Sequence, residues 1–178
     1  MGEMSPDPQG DLAGQIVGMQ PRLLRFAWSL TRDREAAEDL AQEAIARALA
    51  SQWRFQPGTN LKAWLFRILR NAHLNVIRAA RTHPNLVSIE ELVGEPATPH
   101  EHYLSPVEAS AIERAELKRI ADVYRTLPPA FAAALYLTAI EELTYAEAAS
   151  ILDIPVGTLM SRVYRARRLL ISRLAEGK

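Results

Sequence analysis

Residues 144–174 read TYAEAASILDIPVGTLMSRVYRARRLLISRL, and the fold class follows from this stretch. Thr144 and Glu147 match the Ser/Thr-x-x-Glu box, in which two side chains cap each other's backbone N–H groups, so a helix is expected to start there. Ala148, Ile151 and Leu152 give that helix an apolar face. Asp153, Ile154 and Pro155 end it, because proline lacks the N–H that an interior turn needs and disfavours helix in the residue before it. Proline suits a first helical turn, so a second helix is expected from about Val156.

That second helix has two faces. At about 100° per residue, Leu159, Val163, Ala166, Leu170 and Leu174 share one stripe. Thr158, Ser161, Arg162, Arg165 and Arg168 cluster on the far side, and no acid occurs between Val156 and Leu174. An apolar stripe backed by arginines and hydroxyls suits a helix that packs on a small domain and enters a DNA major groove. Arginine pairs bidentately with guanine, and Ser, Thr and Arg all bond phosphates. A solvated basic face on an ordinary amphipathic helix gives the same charge pattern. The capped helix and the proline turn before it favour the DNA reading.

The whole chain has 178 residues, zero formal net charge and 48% hydrophobic residues, enough for one packed domain or two small ones. It contains no cysteine, which excludes disulfides, thiolate metal sites and cysteine nucleophiles and fits a reducing cytoplasm. No apolar run reaches the roughly 20 residues of a membrane span, and the opening MGEMSPDPQGDLAG is too polar for a secretory signal. The zero charge is an average over blocks. Residues 61–83 hold five Lys and Arg and no acid; residues 84–116 hold seven Glu against Arg114 alone; the basic helix then follows. Two basic patches around an acidic stretch are compatible with nucleic acid despite the sum.

In chain order, residues 1–10 carry Pro6, Pro8 and Gly10 and read as a disordered tail. Residues 11–19 and then a stretch to about Thr31 read as helix. Asp33 is placed to cap the next helix, whose core stripe is Ala37, Leu40, Ala41, Ala44, Ile45 and Ala48 and whose other side carries Asp39, Gln42 and Glu43. RFQPGTN, residues 54–60, is a loop by its Pro-Gly pair. The following helix, LKAWLFRILRNAHLNVIRAAR, has an apolar side through Leu61, Trp64, Leu65, Leu69 and Val76. Its other side holds Arg67, Arg70, Asn71, Asn75 and Arg78. Basic and amide groups beside an aromatic-bearing loop suit single-stranded bases; core aromatics with solvated arginines are the plainer reading, and Trp64 and Phe66 are expected in the core. Residues 83–106 read as a linker rich in Pro and Glu. His100 and His102 within it lack the spacing of a metal site. Residues 107–127 are expected helical, with Ile112, Leu117, Ile120, Ala121 and Tyr124 available for packing, and PAFAAALYLTAIEEL forms a further helix after Pro128. Absence of a Gly-rich phosphate loop, a metal spacing or a nucleophile motif speaks against an enzyme and against any cofactor.

Three stretches in order, DREAAEDLAQEAIARAL, FQPGTNLKAWLFRILRNAHLNVIR and LPPAFAAALYLTAIEELTYAEAASILDIPVGTLMSRVYRARRLL, resemble the extracytoplasmic-function sigma factors of bacterial RNA polymerase, of the sigma-70 family. The likeness runs from about Asp11 to Leu174, and the FQPGTNLKAWLF wording is similar to the alphaproteobacterial general-stress-response subgroup. The resemblance implies an all-α chain with a region 2 domain over residues 11–82, a flexible acidic linker over 83–106 and a region 4 helix-turn-helix domain over 107–178. It implies that Asp39, Gln42 and Glu43 dock on the β′ clamp helices of core polymerase. It assigns −10 capture and melting to Phe55, Thr59, Asn60, Arg67, Asn71, Asn75 and Arg78, and −35 reading to Thr158, Ser161, Arg162, Arg165 and Arg168. Contacts to the β flap and control by an anti-sigma factor are implied as well. Two positions depart from the family pattern: Glu142 where glycine is frequent, which puts that turn in question, and Met160 where lysine is frequent. A sigma-like mimic that sequesters an anti-sigma factor, and a stand-alone helix-turn-helix regulator, are the rival readings. The first has no need to keep the recognition arginines; the second leaves residues 61–81 unexplained.

Overall fold

The computed structural model describes residues 8–82 and 111–176, and all regular elements among them are helical. The N-terminal module is α1 (Pro8–Gly18), α2 (Gln20–Thr31), α3 (Arg34–Ala50), a single 3₁₀ turn (Gln52–Arg54) and α4 (Leu61–Thr82). The C-terminal module is α5 (Ala111–Arg125), α6 (Pro129–Leu135), a π turn (Tyr136–Ile140), α7 (Tyr145–Leu152) and α8 (Val156–Glu176). The expected linker, including His100 and His102, lies outside the described residues.

Local chemistry sets most boundaries. Asp33 caps α3 by accepting from the Ala36 N–H at 2.7 Å. The buried face of α3 is mostly alanine, Ala37, Ala41, Ala44 and Ala48 with Leu40, so α2 packs closely against it. One expectation fails at the start: α1 begins at Pro8, inside the stretch read as tail, because proline's fixed φ and missing N–H suit a first helical turn. Another fails in α5, where Ile112 is 80% exposed rather than packed. Val76, read as part of the α4 stripe, is half-exposed.

The two modules share one core. Tyr136 of the C-terminal module is 3% exposed and lies against Phe26 and Phe66 of the N-terminal one, stacked on the first (centroids 5.8 Å) and edge-on to the second (6.2 Å). Arg32 crosses the same seam. Its guanidinium donates to the Leu127 carbonyl at 2.8 Å and sits over the Trp28 and Tyr124 rings. Burial lowers the Arg32 pKa, and the aromatic faces supply part of what water would have given. Burying one aromatic side chain contributes about 1.5–3 kcal/mol, and an aromatic pair about 0.5–1.5 kcal/mol more. An exposed pair such as Arg47–Glu43 gives only about 0–1 kcal/mol. Each ring buried at the seam therefore contributes more than an exposed ion pair does.

Candidate nucleic-acid interface

The helix-turn-helix has the local geometry expected of it. Thr144 Oγ1 accepts from the Glu147 N–H at 3.2 Å, and Glu147 Oε2 accepts from the Thr144 N–H at 2.9 Å. Asp153 ends α7 in left-handed backbone (φ 53), and α8 starts three residues later. Leu159, Val163 and Ala166 are buried against the module, which turns the opposite side of α8 outward. Ser161, Arg165 and Arg168 are exposed on that side; Thr158 and Arg162 are half-buried. Ser161 Oγ donates to the Thr158 carbonyl at 2.9 Å, and Arg168 leans over the Tyr164 ring. Such a face offers charged forks and a hydroxyl at successive turns, the spacing a groove requires.

The second surface lies on α4 and the loop before it. Thr59 donates to the Gln56 carbonyl at 2.7 Å, and Asn60 Oδ1 accepts from the Ala63 N–H at 3.2 Å, so Asn60 caps α4. Gly58 takes φ 87, left-handed backbone that favours glycine and lets the loop turn back. Phe55 is half-buried against Trp64, with ring centroids 5.4 Å apart. Phe66 is fully buried, as expected of a core residue. Thr59, Asn60, Arg67, Asn71, Asn75 and Arg78 are exposed, and Arg78 Nη1 lies 3.4 Å from Asn75 Oδ1. Two of these positions are engaged by the other module: Asn60 Nδ2 donates to Glu147 Oε1 at 2.7 Å, and Arg67 Nη2 donates to Ser150 Oγ at 2.8 Å.

Asp39, Gln42 and Glu43 are exposed on α3 and line a shallow depression with Ala46. Glu43 pairs with Arg47 one turn on, at 2.6 Å. No group of three or more metal-ligating side chains occurs among the described residues. No helix among them is long and apolar enough to cross a membrane.

Sequence reasoning missed the exposure of Trp53 and the pairs that meet at Glu141. Trp53 is 74% exposed at the loop, with the Arg54 guanidinium 4.7 Å from its ring centre; a tryptophan within SQWRF was the available signal. Glu141 was read only as part of a helix, yet its side chain is 2% exposed and lies 3.2 Å from Arg22 and 3.5 Å from Lys62. Lys62 also donates to the Glu141 carbonyl at 2.9 Å. Nothing local marked these pairs, because their partners are remote in sequence.

A capped helix-turn-helix with an arginine face, joined in one chain to a helical module with a basic and amide face, defines a two-module promoter-binding protein. Known proteins agree. The family model for Sigma-70 region 2 matches residues 16–83, and that for Sigma-70, region 4 matches residues 117–170. The ECF RNA polymerase sigma factor EcfG of Rhodopseudomonas palustris is 37% identical over 89% of this chain and 82% of its own length. SigE of Mycolicibacterium smegmatis, another ECF sigma factor, is 33% identical over 87% of this chain and 58% of its own. The sigma factor RpoE of Bartonella quintana, solved in complex with the anti-sigma factor NepR, superposes with a TM-score of 0.72. It is 31% identical, over 93% of this chain and 97% of that one. The chain belongs to the extracytoplasmic-function RNA polymerase sigma factors of the sigma-70 family. It is accordingly a transcription-initiation subunit that joins core RNA polymerase and directs it to promoter DNA.

Proposed function

We propose that the chain divides this work between its modules as follows. On α8, Thr158, Ser161, Arg162, Arg165 and Arg168 read the −35 element in the major groove. The loop and α4, through Phe55, Thr59, Asn60, Arg67, Asn71, Asn75 and Arg78, trap unpaired −10 bases and hold the melted strand. Asp39, Gln42 and Glu43 seat the N-terminal module on the β′ clamp helices, and the C-terminal module seats on the β flap. The observation that carries this reading is the pair of basic, hydrogen-bonding faces on separate modules, α4 and α8. Unstacking a base costs a few kcal/mol, so strand capture needs compensating contacts along the strand, and α4 supplies charged and amide groups for them.

The protein performs no catalysis of its own, takes no cofactor and works in the cytoplasm, where promoters are. Region 2 spans residues 11–82 and region 4 residues 107–178. An anti-sigma factor controls it within a general stress response. That reading is supported by the likeness to a sigma factor solved with NepR and to EcfG. Pull-down of core polymerase by the tagged chain tests the seat. The wild-type chain is expected to retain the β′ subunit, and a chain carrying Asp39→Arg and Glu43→Arg to lose it. Equal retention by both would remove that face from the assignment.

A further inference from the structure

Trp53 is the most exposed aromatic side chain among the described residues, at 74%, and it stands two residues before Phe55. The backbone puts it there. Gln52–Arg54 is a 3₁₀ turn, in which the Arg54 N–H bonds to the Ser51 carbonyl at 2.9 Å and the Phe55 N–H to the Gln52 carbonyl at 3.0 Å. A three-residue period sets Gln52 and Phe55 one above the other, and both are half-buried. Trp53 and Arg54 are left on the outside. Phe55 already has a ring partner in Trp64, with centroids 5.4 Å apart. Trp53 has instead the Arg54 guanidinium, 4.7 Å from its ring centre, over one face. The other face is open to solvent.

The charge around the ring selects its ligand. No Asp or Glu occurs between Glu43 and Glu90, against seven Lys and Arg. Such a segment attracts a polyanion, and an open indole face takes a planar ring. Single-stranded nucleic acid supplies both at once. We propose that Trp53 is a stacking platform for one unpaired nucleobase, next to the base held by the loop over residues 55–60, with Arg54 backing the ring. A guanidinium stacked flat keeps its edge N–H groups for a phosphate, so Arg54 also meets the backbone beside that base. Stacking uses the π face that every base has, so Trp53 adds hold without sequence preference. Sequence choice stays with the loop, and Trp53 lengthens the segment of strand kept unpaired. The proposal rests on the strand-binding role given to the loop and α4 above.

The probe is fork-junction DNA with a duplex −35 region and a single-stranded −10 region, taken from a promoter fragment that the holoenzyme transcribes. Holoenzyme carrying Trp53→Ala is expected to bind it about tenfold more weakly, and Trp53→Phe to regain most of the loss. An abasic sugar moved along the single strand locates the base. At one position it should cost the wild-type holoenzyme about tenfold and the Trp53→Ala holoenzyme nothing, because the two changes remove the same contact. Association of the Trp53→Ala chain with core polymerase should equal that of the wild type. Equal binding of the fork by wild type and Trp53→Ala overturns the platform, and so does a loss that persists with every abasic probe. Weaker association with core polymerase in Trp53→Ala makes the ring's partner a protein surface and overturns it too. Should the wild-type holoenzyme bind the fork no better than the same duplex without its single strand, the strand-binding role itself fails, and the platform with it.

Discussion

Asn60 and Glu147 stand 87 residues apart in the chain, and Asn60 Nδ2 donates to Glu147 Oε1 over 2.7 Å. The two oxygens of this carboxylate have separate tasks. Oε2 takes the Thr144 N–H and hydroxyl, closing the cap of α7, while Oε1 reaches across to the start of α4. These bonds hold the Glu147 carboxyl below its ordinary 4.5, the Thr144 N–H contributing most and the Asn60 amide next. A depressed carboxyl pKa adds stability above 4.5 and loses it as pH falls through the lowered value. Thr144→Ala and Glu147→Ala are each expected to cost about 1 kcal/mol in urea unfolding at neutral pH. In Glu147→Gln this part of the acid-induced loss should vanish. A variant that keeps the wild-type acid profile would contradict the assignment.

Glu142 occupies left-handed backbone, φ 56, two residues past the end of the π turn. The backbone is the one a glycine would favour, and Glu adopts it under strain of about 1–2 kcal/mol. Glu142→Gly relieves that strain and gives some of it back as unfolded-state entropy. The expected result is a gain of about 0.5–1 kcal/mol, read from the midpoint of thermal unfolding. A loss of stability would mean that the Glu142 side chain makes a contact worth more than the strain.

His73 sits half-buried on α4. Burial, then the charge of Arg70, bring its pKa from 6.5 down to about 4. Above 6.5 the ring is neutral in both states. As pH falls, the unfolded chain takes up the proton first, so stability declines between 6.5 and about 4. The slope is at most about 1.4 kcal/mol per pH unit, and smaller because the ring is partly exposed. Urea midpoints on the two sides of 6.5 should converge in His73→Gln relative to the wild-type chain.

The −35 role proposed for α8 assigns Arg162 and Arg165 two kinds of DNA contact. Arg162 is half-buried on α8, and Arg165 lies about one turn further along and is exposed. If Arg162 reads a base edge, Arg162→Ala costs about 1–3 kcal/mol and relaxes preference at one −35 position. Arg165→Ala, acting on phosphate, should weaken all sequences alike and shallow the salt dependence. Competition binding of the holoenzyme to a promoter library distinguishes the two.

Much of the fold was legible because its signals are local. The Thr144–Glu147 box, the Asp33 cap and the break at Pro155 are each written within a few residues, and each stands where expected. Of the stripe Leu159, Val163, Ala166, Leu170 and Leu174, the first three are buried and the last two half-buried. The seam was not legible. Arg22 and Glu141 are 119 residues apart, and no periodicity marks either as a partner of the other. Glu141 also lies just past a π turn, where the spacing of side chains leaves the helical 3.6 and a helical wheel assigns the wrong face. Trp53 escaped because an aromatic near an apolar helix is ordinarily core; only its exposure separates it from Trp64 and Phe66.

The most direct measurement is run-off transcription with purified core RNA polymerase and genomic promoter fragments. The account predicts initiation only when the chain is added, abolished together by Asp39→Arg with Glu43→Arg and by removal of residues 107–178. A chain that binds promoter duplex through α8 yet yields no transcript with any fragment, and does not associate with the polymerase, would contradict it.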